Sequence, residues 1–228
     1  LSFLLICILI ALALVAVARI AEHFLPPKRK VSPTRRITLI AICSAIATVL
    51  HLLDFPLPFL APGFYKLDFS ELPVLLCSFY LGPSAGVVCE GMKILLKLLT
   101  KGTSTAFVGD FANFVVGCTL VLPAAICYHV KKTKKTALLG LALGTVIMTI
   151  FGSLFNAVYL LPKFSVLFGL PLDQIVAMGS SINGQIHSVS TLVLFSVAPL
   201  NLLKAAVVSL LTLLLYKRVE KPLFEKVA

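Results

Sequence analysis

The sequence predicts an all-α protein whose helices cross a membrane several times, and its composition is the first reason. Of its 228 residues, 59% are hydrophobic and only 13% are charged, and the mean hydropathy is +1.05. Soluble domains average roughly 45–50% apolar and about 25% charged residues, and small domains leave much of their surface wet. The composition therefore excludes a soluble enzyme, a large domain outside the membrane and a disordered chain.

The second reason is the spacing of the apolar residues, because a transmembrane helix needs about 20 of them in succession. Seven apolar segments cover about residues 1–22, 37–53, 70–82, 84–100, 106–129, 137–161 and 190–216. The third and fourth segments are short and meet at a helix-breaking Gly-Pro pair (82–83). The last six segments predict a six-helix core over 37–218. An accessory helix with a basic linker precedes it (1–36), and a tail follows it (219–228).

The third reason is the position of the basic residues, thirteen of twenty of which lie in three clusters beside apolar segments. The clusters are Lys28, Arg29, Lys30, Arg35 and Arg36; Lys131, Lys132, Lys134 and Lys135; and Lys217, Arg218, Lys221 and Lys226. Because cytoplasmic loops carry the excess of Lys and Arg, one topology places all three clusters and the C-terminus inside. We expect a multi-pass membrane protein whose basic loops and C-terminus are cytoplasmic. The net charge of +11 is then explained by the basic residues that orient the helices in the bilayer. No basic soluble module for binding nucleic acid is recognisable in the sequence.

In this topology the first segment runs from outside to inside, and we interpret it as a retained accessory helix. A cleaved signal peptide is the alternative, although the segment lacks the basic n-region that such peptides carry. Two of the predicted outer loops also have a distinctive composition. Residues 54–66 combine three prolines with several aromatic side chains, as in an apolar lid. The long loop over 163–189 contains a short amphipathic pattern at 172–178, which predicts an interfacial helix.

Polar side chains inside the apolar segments are the candidates for function, because a charge at the bilayer centre costs about 2.5–3.5 kcal/mol on insertion scales. Four segments carry them: Glu90, Lys93 and Lys97; Asp110 and Asn113; Asn156; and Asn201 and Lys204. Spacings of three, four or seven residues place the members of one segment on a single helical face. The pattern predicts one polar pocket between helices, opening outward, for a polyhydroxylated or heteroaromatic solute, since amides, lysines and carboxylates supply complementary hydrogen bonds.

Two other interpretations of these polar residues stay open. Internal ion pairs that serve only helix packing, such as Glu90 with Lys93 or Asp110 with Lys204, would also explain them. A proton relay is the less favoured one, because the mid-sequence histidines lie near predicted helix ends or in a loop.

No constellation for catalysis, a metal or a cofactor is present in the sequence. There is no CxxC pair, no zinc-ligand spacing, no nucleophile elbow and no HExxH motif. The stretch GVVCEGMK (86–93) has the glycines of a phosphate loop, but Met92 stands where that loop requires Lys. We therefore expect a chain that is not an enzyme and does not hydrolyse ATP itself.

Small residues at a spacing of four mark two faces for close helix packing. Ala41 and Ala45 form an AxxxA pattern, and Gly140 and Gly144 form a GxxxG pattern. Packing within the chain is at least as good an interpretation of the GxxxG pattern as contact with a partner.

Seven stretches along the core carry a family resemblance. They are KLDFSELPVLL (66–76), LGPSAGVVCEGMK (81–93), VGDFANFVVG (108–117), VLPA (121–124), SLFNAVYLLP (153–162), DQIVAMGSSIN (173–183) and APLNLLKAAVVSLLTLLLYKR (198–218). Together they resemble the substrate-binding S components of energy-coupling factor (ECF) vitamin transporters, and among these the riboflavin-specific members most closely. The resemblance covers about residues 37–218.

The resemblance implies a subunit that binds riboflavin from outside and delivers it inward together with a transmembrane coupling subunit and two cytoplasmic ATPase subunits. Riboflavin would be the transported ligand and not a cofactor, and the protein would lie in a bacterial plasma membrane. Ala41 and Ala45 match the AxxxA pattern with which the first core helix of the family contacts the coupling subunit. A different vitamin, a flavin derivative such as FMN, and a stand-alone secondary carrier are the alternatives.

The candidate substrate-binding residues follow from the polar pocket and the lid. In order of priority they are Asn156, Asn201 and Lys204, then Glu90, Lys93, Asp110 and Asn113, with Leu60, Phe64 and Tyr65 of the lid packing on the ring system of the solute.

Overall fold

The fold is a helical bundle, and the computed structural model describes residues 2–26 and 31–219. Its helices are α1 (Ser2–Phe24), α2 (Pro33–Leu52), α3 (Glu71–Leu81), α4 (Pro83–Lys101), α5 (Val108–Lys131), α6 (Lys134–Phe155), α7 (Leu161–Phe168), α8 (Leu172–Ser180), α9 (Val189–Leu192) and α10 (Ala198–Val219). Two short strands, β1 (Phe55–Pro56) and β2 (Lys66–Leu67), pair antiparallel between α2 and α3. Part of the first basic cluster (28–30), Lys221, Lys226 and the tail from 220 onward lie outside the described residues.

Five helical stretches of the described chain are long and apolar enough to cross a membrane. They are Leu5–Phe24, Pro33–Leu52, Val108–Lys131, Lys134–Phe168 and Val189–Val219. The two remaining predicted segments form α3, an apolar helix of 11 residues, and α4, which carries the buried Glu90 and Lys93. All seven predicted segments are thus helical.

The predicted break between the third and fourth segments lies where the sequence places it. Gly82 has φ = 108°, a backbone conformation that residues with a Cβ rarely adopt, and Pro83 begins α4. Neighbouring helices support this turn, because the Glu22 carboxylate of α1 accepts a hydrogen bond from the Ser84 N–H (2.8 Å). The Arg36 guanidinium of α2 donates to the Ser84 hydroxyl oxygen (2.9 Å). The α3–α4 turn and the start of α2 therefore lie at one end of the bundle.

Two predicted boundaries differ from the structure. α2 begins at Pro33, with Ser32 as its N-cap, so Arg35 and Arg36 belong to the helix and not to a linker. The sixth segment does not end near 161, because a π-helical stretch (Asn156–Leu160) connects α6 directly to α7. The wider turn shifts the backbone pairing, with the Leu161 N–H bonded to the Asn156 carbonyl, and Pro162 then lies in the first turn of α7, where proline is tolerated.

The predicted interfacial helix is present as α8, and the last span is continuous through α9, a second π-helical stretch (Val193–Val197) and α10. The GxxxG pattern packs α6 against α5 within the chain. A Cβ at Gly140 would lie 2.7 Å from the Ala124 carbonyl oxygen, and one at Gly144 would lie 2.5 Å from that of Leu120. α1 packs on α4 and α5 through an apolar cluster around Ala18.

Candidate solute-binding site

A cavity of about 280 Å³ opens between α5, α6, α10 and the loop that contains β1 and β2. It is close to the lower end of the 300–1,000 Å³ range of ligand pockets. Seven of the ten predicted residues line it: Asn156, Asn201, Lys204, Asp110, Asn113, Phe64 and Tyr65. The structure thus brings together predicted amides, a lysine, a carboxylate and two aromatic rings at one cavity. Their contact with a solute stays a prediction.

Three predicted residues are not brought to the cavity wall. Glu90 and Lys93 are fully buried behind it, where their charges pair with each other at 2.5 Å, as the packing interpretation anticipated. Leu60 lies in a turn of the lid loop in which its N–H donates to the Leu57 carbonyl (2.9 Å), and it is not among the lining residues.

The predicted pair of Asp110 with Lys204 is wrong, because each residue has a nearer partner. Asp110 accepts from the Lys97 ammonium (2.5 Å) and from the Thr103 hydroxyl (2.6 Å). Lys204 instead lies 3.0 Å from the Asp68 Oδ2. The two lysines therefore mark separate parts of the cavity wall.

The sequence prediction missed other lining residues, among them the ionisable His51, Asp68, Glu71 and Lys97. Lys97 was recognised on the polar face of its helix but was not chosen for the site. The others lie at the end of α2, in the loop after β2 and at the start of α3, so a search limited to segment centres passes over them. The spacing of Asp68 and Glu71 within KLDFSEL was the available signal.

The lid loop closes one side of the cavity through Tyr65. Its hydroxyl donates to the Asn156 Oδ1 (3.0 Å), and the Asn156 Nδ2 donates to the Gly152 carbonyl (2.8 Å). Burial raises the pKa of Tyr65, so the phenol stays protonated and remains a donor. The ring of Phe64 lies 4.5 Å from that of Tyr65, between centroids, and the pair forms the aromatic part of the wall.

The Asn201 amide is an unsatisfied donor of the wall. Its Nδ2 is buried and has no hydrogen-bond partner among the described residues, and a Cβ at Gly152 would lie 3.0 Å from it. A buried donor without a partner costs about 1–3 kcal/mol. A solute acceptor would remove that cost.

The loop carboxylate Asp68 contributes a fixed negative charge to the deep end. Burial by itself would raise the pKa of Asp68, but Lys204 and the His51 ring beside it hold that pKa well below its usual range. The mouth has a second group of charges, because the Asp54 carboxylate lies 3.1 Å from the Lys66 ammonium and 3.7 Å from the Lys101 ammonium. The cavity thus has charged groups at both ends.

Several membrane-spanning helices around a cavity with amides, charged groups and aromatic rings define a membrane-embedded solute-binding protein. The family model for the substrate-specific component of ECF transporters matches residues 35–216. The chain therefore belongs to the ECF transporter substrate-specific component family, and the resemblance to S components predicted from the sequence motifs is confirmed. This is a family of transporter components and not of enzymes. α1 lies outside the match.

Named relatives and a solved structure agree with this assignment. The riboflavin transporter RibU of Staphylococcus aureus (strain TCH60) is 34% identical over 191 residues, which are 84% of this chain and 93% of the relative. The riboflavin transporter FmnP of Bacillus subtilis (strain 168) is 31% identical over 193 residues, 84% of this chain and 95% of the relative. A structure described as that of the S component of a bacterial ECF transporter is 34% identical, with a TM-score of 0.65, and the match covers 85% of this chain and all of that one.

Proposed function

We propose that this chain is the riboflavin-capturing subunit of an ECF-type importer. It binds riboflavin from the outside and delivers it inward together with a transmembrane coupling subunit and two cytoplasmic ATPase subunits. The proposal is supported by the family match and by relatives that carry the name riboflavin transporter at 31% and 34% identity.

The observation that carries the proposal is the combination of groups at the cavity wall. Phe64 and Tyr65 offer aromatic surface for a flat ring system, and the amides of Asn113, Asn156 and Asn201 offer donors and acceptors. Riboflavin needs both, because it joins a planar heteroaromatic ring to a chain of hydroxyl groups. A small inorganic ion has no flat ring that could stack on the aromatic surface.

Purification from a flavin-containing host tests the proposal directly. We expect yellow protein that quenches riboflavin fluorescence when the vitamin is added back after its removal. Colourless protein without quenching would contradict the proposal. A thermal-shift comparison of riboflavin, FMN and other vitamins then distinguishes the solutes, and the largest stabilisation is expected for riboflavin because bound ligand stabilises only the folded state.

Substitution of Lys204 or Asn201 tests the location of the site. Lys204→Ala and Asn201→Ala should each weaken riboflavin binding by at least about tenfold, since each removes a buried polar group from the cavity wall. Lys135→Ala and Gln185→Ala are the matched controls, because both side chains are exposed and lie outside the lining residues. If the two cavity variants bind as tightly as the parent chain, the solute lies elsewhere.

We propose that α2 provides the surface for the coupling subunit. Ala41 and Ala45 are exposed on one face of α2, next to the exposed Ile42 and Ile46. Small residues on an apolar face let another helix approach closely. Neither alanine lines the cavity, so this surface is separate from the solute site.

Larger side chains on this face should separate capture from uptake. With Ala41→Leu and Ala45→Leu combined, we expect riboflavin uptake by cells to fall at least tenfold while the Kd of the purified chain stays within about twofold, because only close helix approach is blocked. Ala142→Leu, an exposed alanine of α6, is the control. Normal uptake by the double variant would exclude α2 as the surface for the coupling subunit. In a separate test, riboflavin uptake that persists in cells without the ATPase subunits would favour a stand-alone carrier.

We propose that the cavity faces the outside and that the α5–α6 turn faces the cytoplasm. The support is that residues of two basic clusters lie at the same end of the bundle, as cytoplasmic ends require. The cluster 131–135 forms the α5–α6 turn, and the neighbouring His129 Nε2 lies 3.0 Å from the Ser78 carbonyl oxygen, close to the α3–α4 turn that Arg36 contacts. In a background whose six native cysteines are replaced, Lys134→Cys should react with a membrane-impermeant maleimide only in inverted vesicles, and labelling of intact cells would reverse the assignment.

A further inference from the structure

A buried ionic network lies in the cavity wall and directly behind it, and the capture of a neutral solute does not by itself require this network. Its charged members are three carboxylates, Asp68, Glu71 and Glu90, and two ammonium groups, Lys93 and Lys204. They belong to the loop after β2, to α3, to α4 and to α10. Burying ions is costly unless each is held by good contacts, so the arrangement calls for a functional reason.

The network fixes the position of the Lys204 ammonium group. Its Nζ lies 3.0 Å from the Asp68 Oδ2 and 3.0 Å from the Glu71 Oε1. An ammonium group has three N–H donors and two of them are used here. The third is available to the cavity, which Lys204 lines. The two carboxylates therefore decide where this donor is presented.

Glu71 is in turn held from behind. The Lys93 ammonium lies 3.4 Å from the Glu71 Oε1 and 2.5 Å from the Glu90 Oε1, and it donates to the Ser70 hydroxyl (3.0 Å). Glu90 packs against Gly117 of α5, where an added Cβ would overlap its carboxylate. The inner part of the network is thus fully buried and packed closely against α5.

Asp68 has both of its carboxylate oxygens occupied within the protein. The Oδ1 accepts the Ser70 N–H (2.9 Å), and the Oδ2 accepts from Lys204 (3.0 Å) and lies 3.3 Å from the His51 Nδ1. Although Asp68 lines the cavity, its acceptors are therefore engaged by the chain. Its position directly after β2 also attaches the lid loop to α10.

We infer that Asp68 is a positioning residue for solute capture, which acts by holding the Lys204 ammonium group, with Glu71 as the second support, so that one N–H donor is presented to the solute. The inference rests on the proposed function. It predicts that Asp68 contributes to affinity only while Lys204 is present.

A double-mutant cycle with riboflavin as the probe tests this dependence in the full chain. Asp68→Asn preserves the shape and the contact with Ser70 but removes the charge. It should raise the riboflavin Kd at least about tenfold. In a Lys204→Met background the same change should alter the Kd by less than about twofold. Asp173→Asn, an exposed carboxylate of α8, is the matched control and should leave the Kd unchanged.

The cycle separates positioning from a general structural role or a direct contact, because either of these would cost affinity equally in both backgrounds. A tenfold loss in both backgrounds therefore overturns the inference, as does an unchanged Kd for Asp68→Asn. If Asp68→Asn does not fold, the combined Asp68→Asn, Lys204→Met variant is compared with Lys204→Met alone. The combined variant removes both charges of the Asp68–Lys204 pair, so neither of these two residues is left as an unpaired charge. Equal Kd values support the inference and a tenfold difference overturns it. A parent chain that does not bind riboflavin overturns the proposed function as well, whereas an additive cycle in a binding parent overturns only the inference.

Discussion

The two ends of the α5–α6 pair differ in how closely the same two helices approach. Toward the α5–α6 turn, Gly140 and Gly144 leave no space for even a methyl group against the backbone of α5. Toward the other end, Asn113 of α5, Met148 of α6 and Asn156 of the π-helical stretch that follows α6 line an open cavity. At the first end the glycines let the two helix backbones touch, and at the other end larger side chains line the space between the helices.

The close contact of Gly140 and Gly144 with α5, the glycine seam, also differs from the cavity end in backbone geometry. Regular helix continues through the glycine seam and past Met148, and the π-helical stretch Asn156–Leu160 follows at the cavity end, where Asn156 and Leu160 line the wall. π-helical turns occur frequently at functional sites because the extra residue redirects side chains. We interpret the seam as the part of the pair that determines the fold and the cavity end as the part available for solute binding.

The largest expected effect comes from breaking the seam. Gly144→Val forces a side chain against the Leu120 carbonyl oxygen, so α5 and α6 must separate. We expect a loss of about 3 kcal/mol in the free energy of unfolding, at the upper end of overpacking effects, measured by thermal or denaturant unfolding in detergent.

Gly184→Val is the control for this substitution, because a Cβ at Gly184 has no neighbour within 4 Å. It should change stability by less than about 0.5 kcal/mol. If Gly144→Val is as stable as this control, the seam does not determine the packing of the pair, and the distinction between the two ends fails.

Much of the fold was predictable because a bilayer imposes simple rules on a sequence. Apolar segments of sufficient length predict the helices, and the Gly82-Pro83 pair predicts the break between α3 and α4. The continuation of the sixth span into α7 was not predictable in this way. Pro162 normally indicates a helix end, and the π-helical stretch that accommodates it depends on tertiary packing, which periodicity does not reveal.

The site was predictable where a polar residue stands inside an apolar segment and less so elsewhere. Asn156, Asn201 and Lys204 meet that criterion and line one cavity. Glu90 and Lys93 meet it equally but are used in ion pairs behind the wall, since helical spacing identifies a shared face and not what the face contacts. Asp68 was missed because it lies in a loop, where a charged residue ordinarily needs no explanation.

A smaller effect, of opposite kind, is expected at the cavity end of the same helix pair. Asn113→Ala removes an amide that lines the cavity and is only half-buried, so the free energy of unfolding should change by less than about 0.5 kcal/mol. Riboflavin affinity should fall about fivefold, which corresponds to the loss of one hydrogen bond of about 1 kcal/mol.

Fluorescence quenching and thermal unfolding on the same preparations measure the two quantities, with Gln185→Ala as the exposed amide control. A stable Asn113→Ala variant with weaker binding means that the polar face of α5 contributes to capture without contributing to the fold. A variant that loses stability and keeps its affinity would show that the polar end of α5 is a packing surface like the glycine seam. In that case the solute would be bound by α10, the π-helical stretch and the lid loop without α5, because those elements supply the two remaining amides, Lys204 and the aromatic pair of Phe64 and Tyr65.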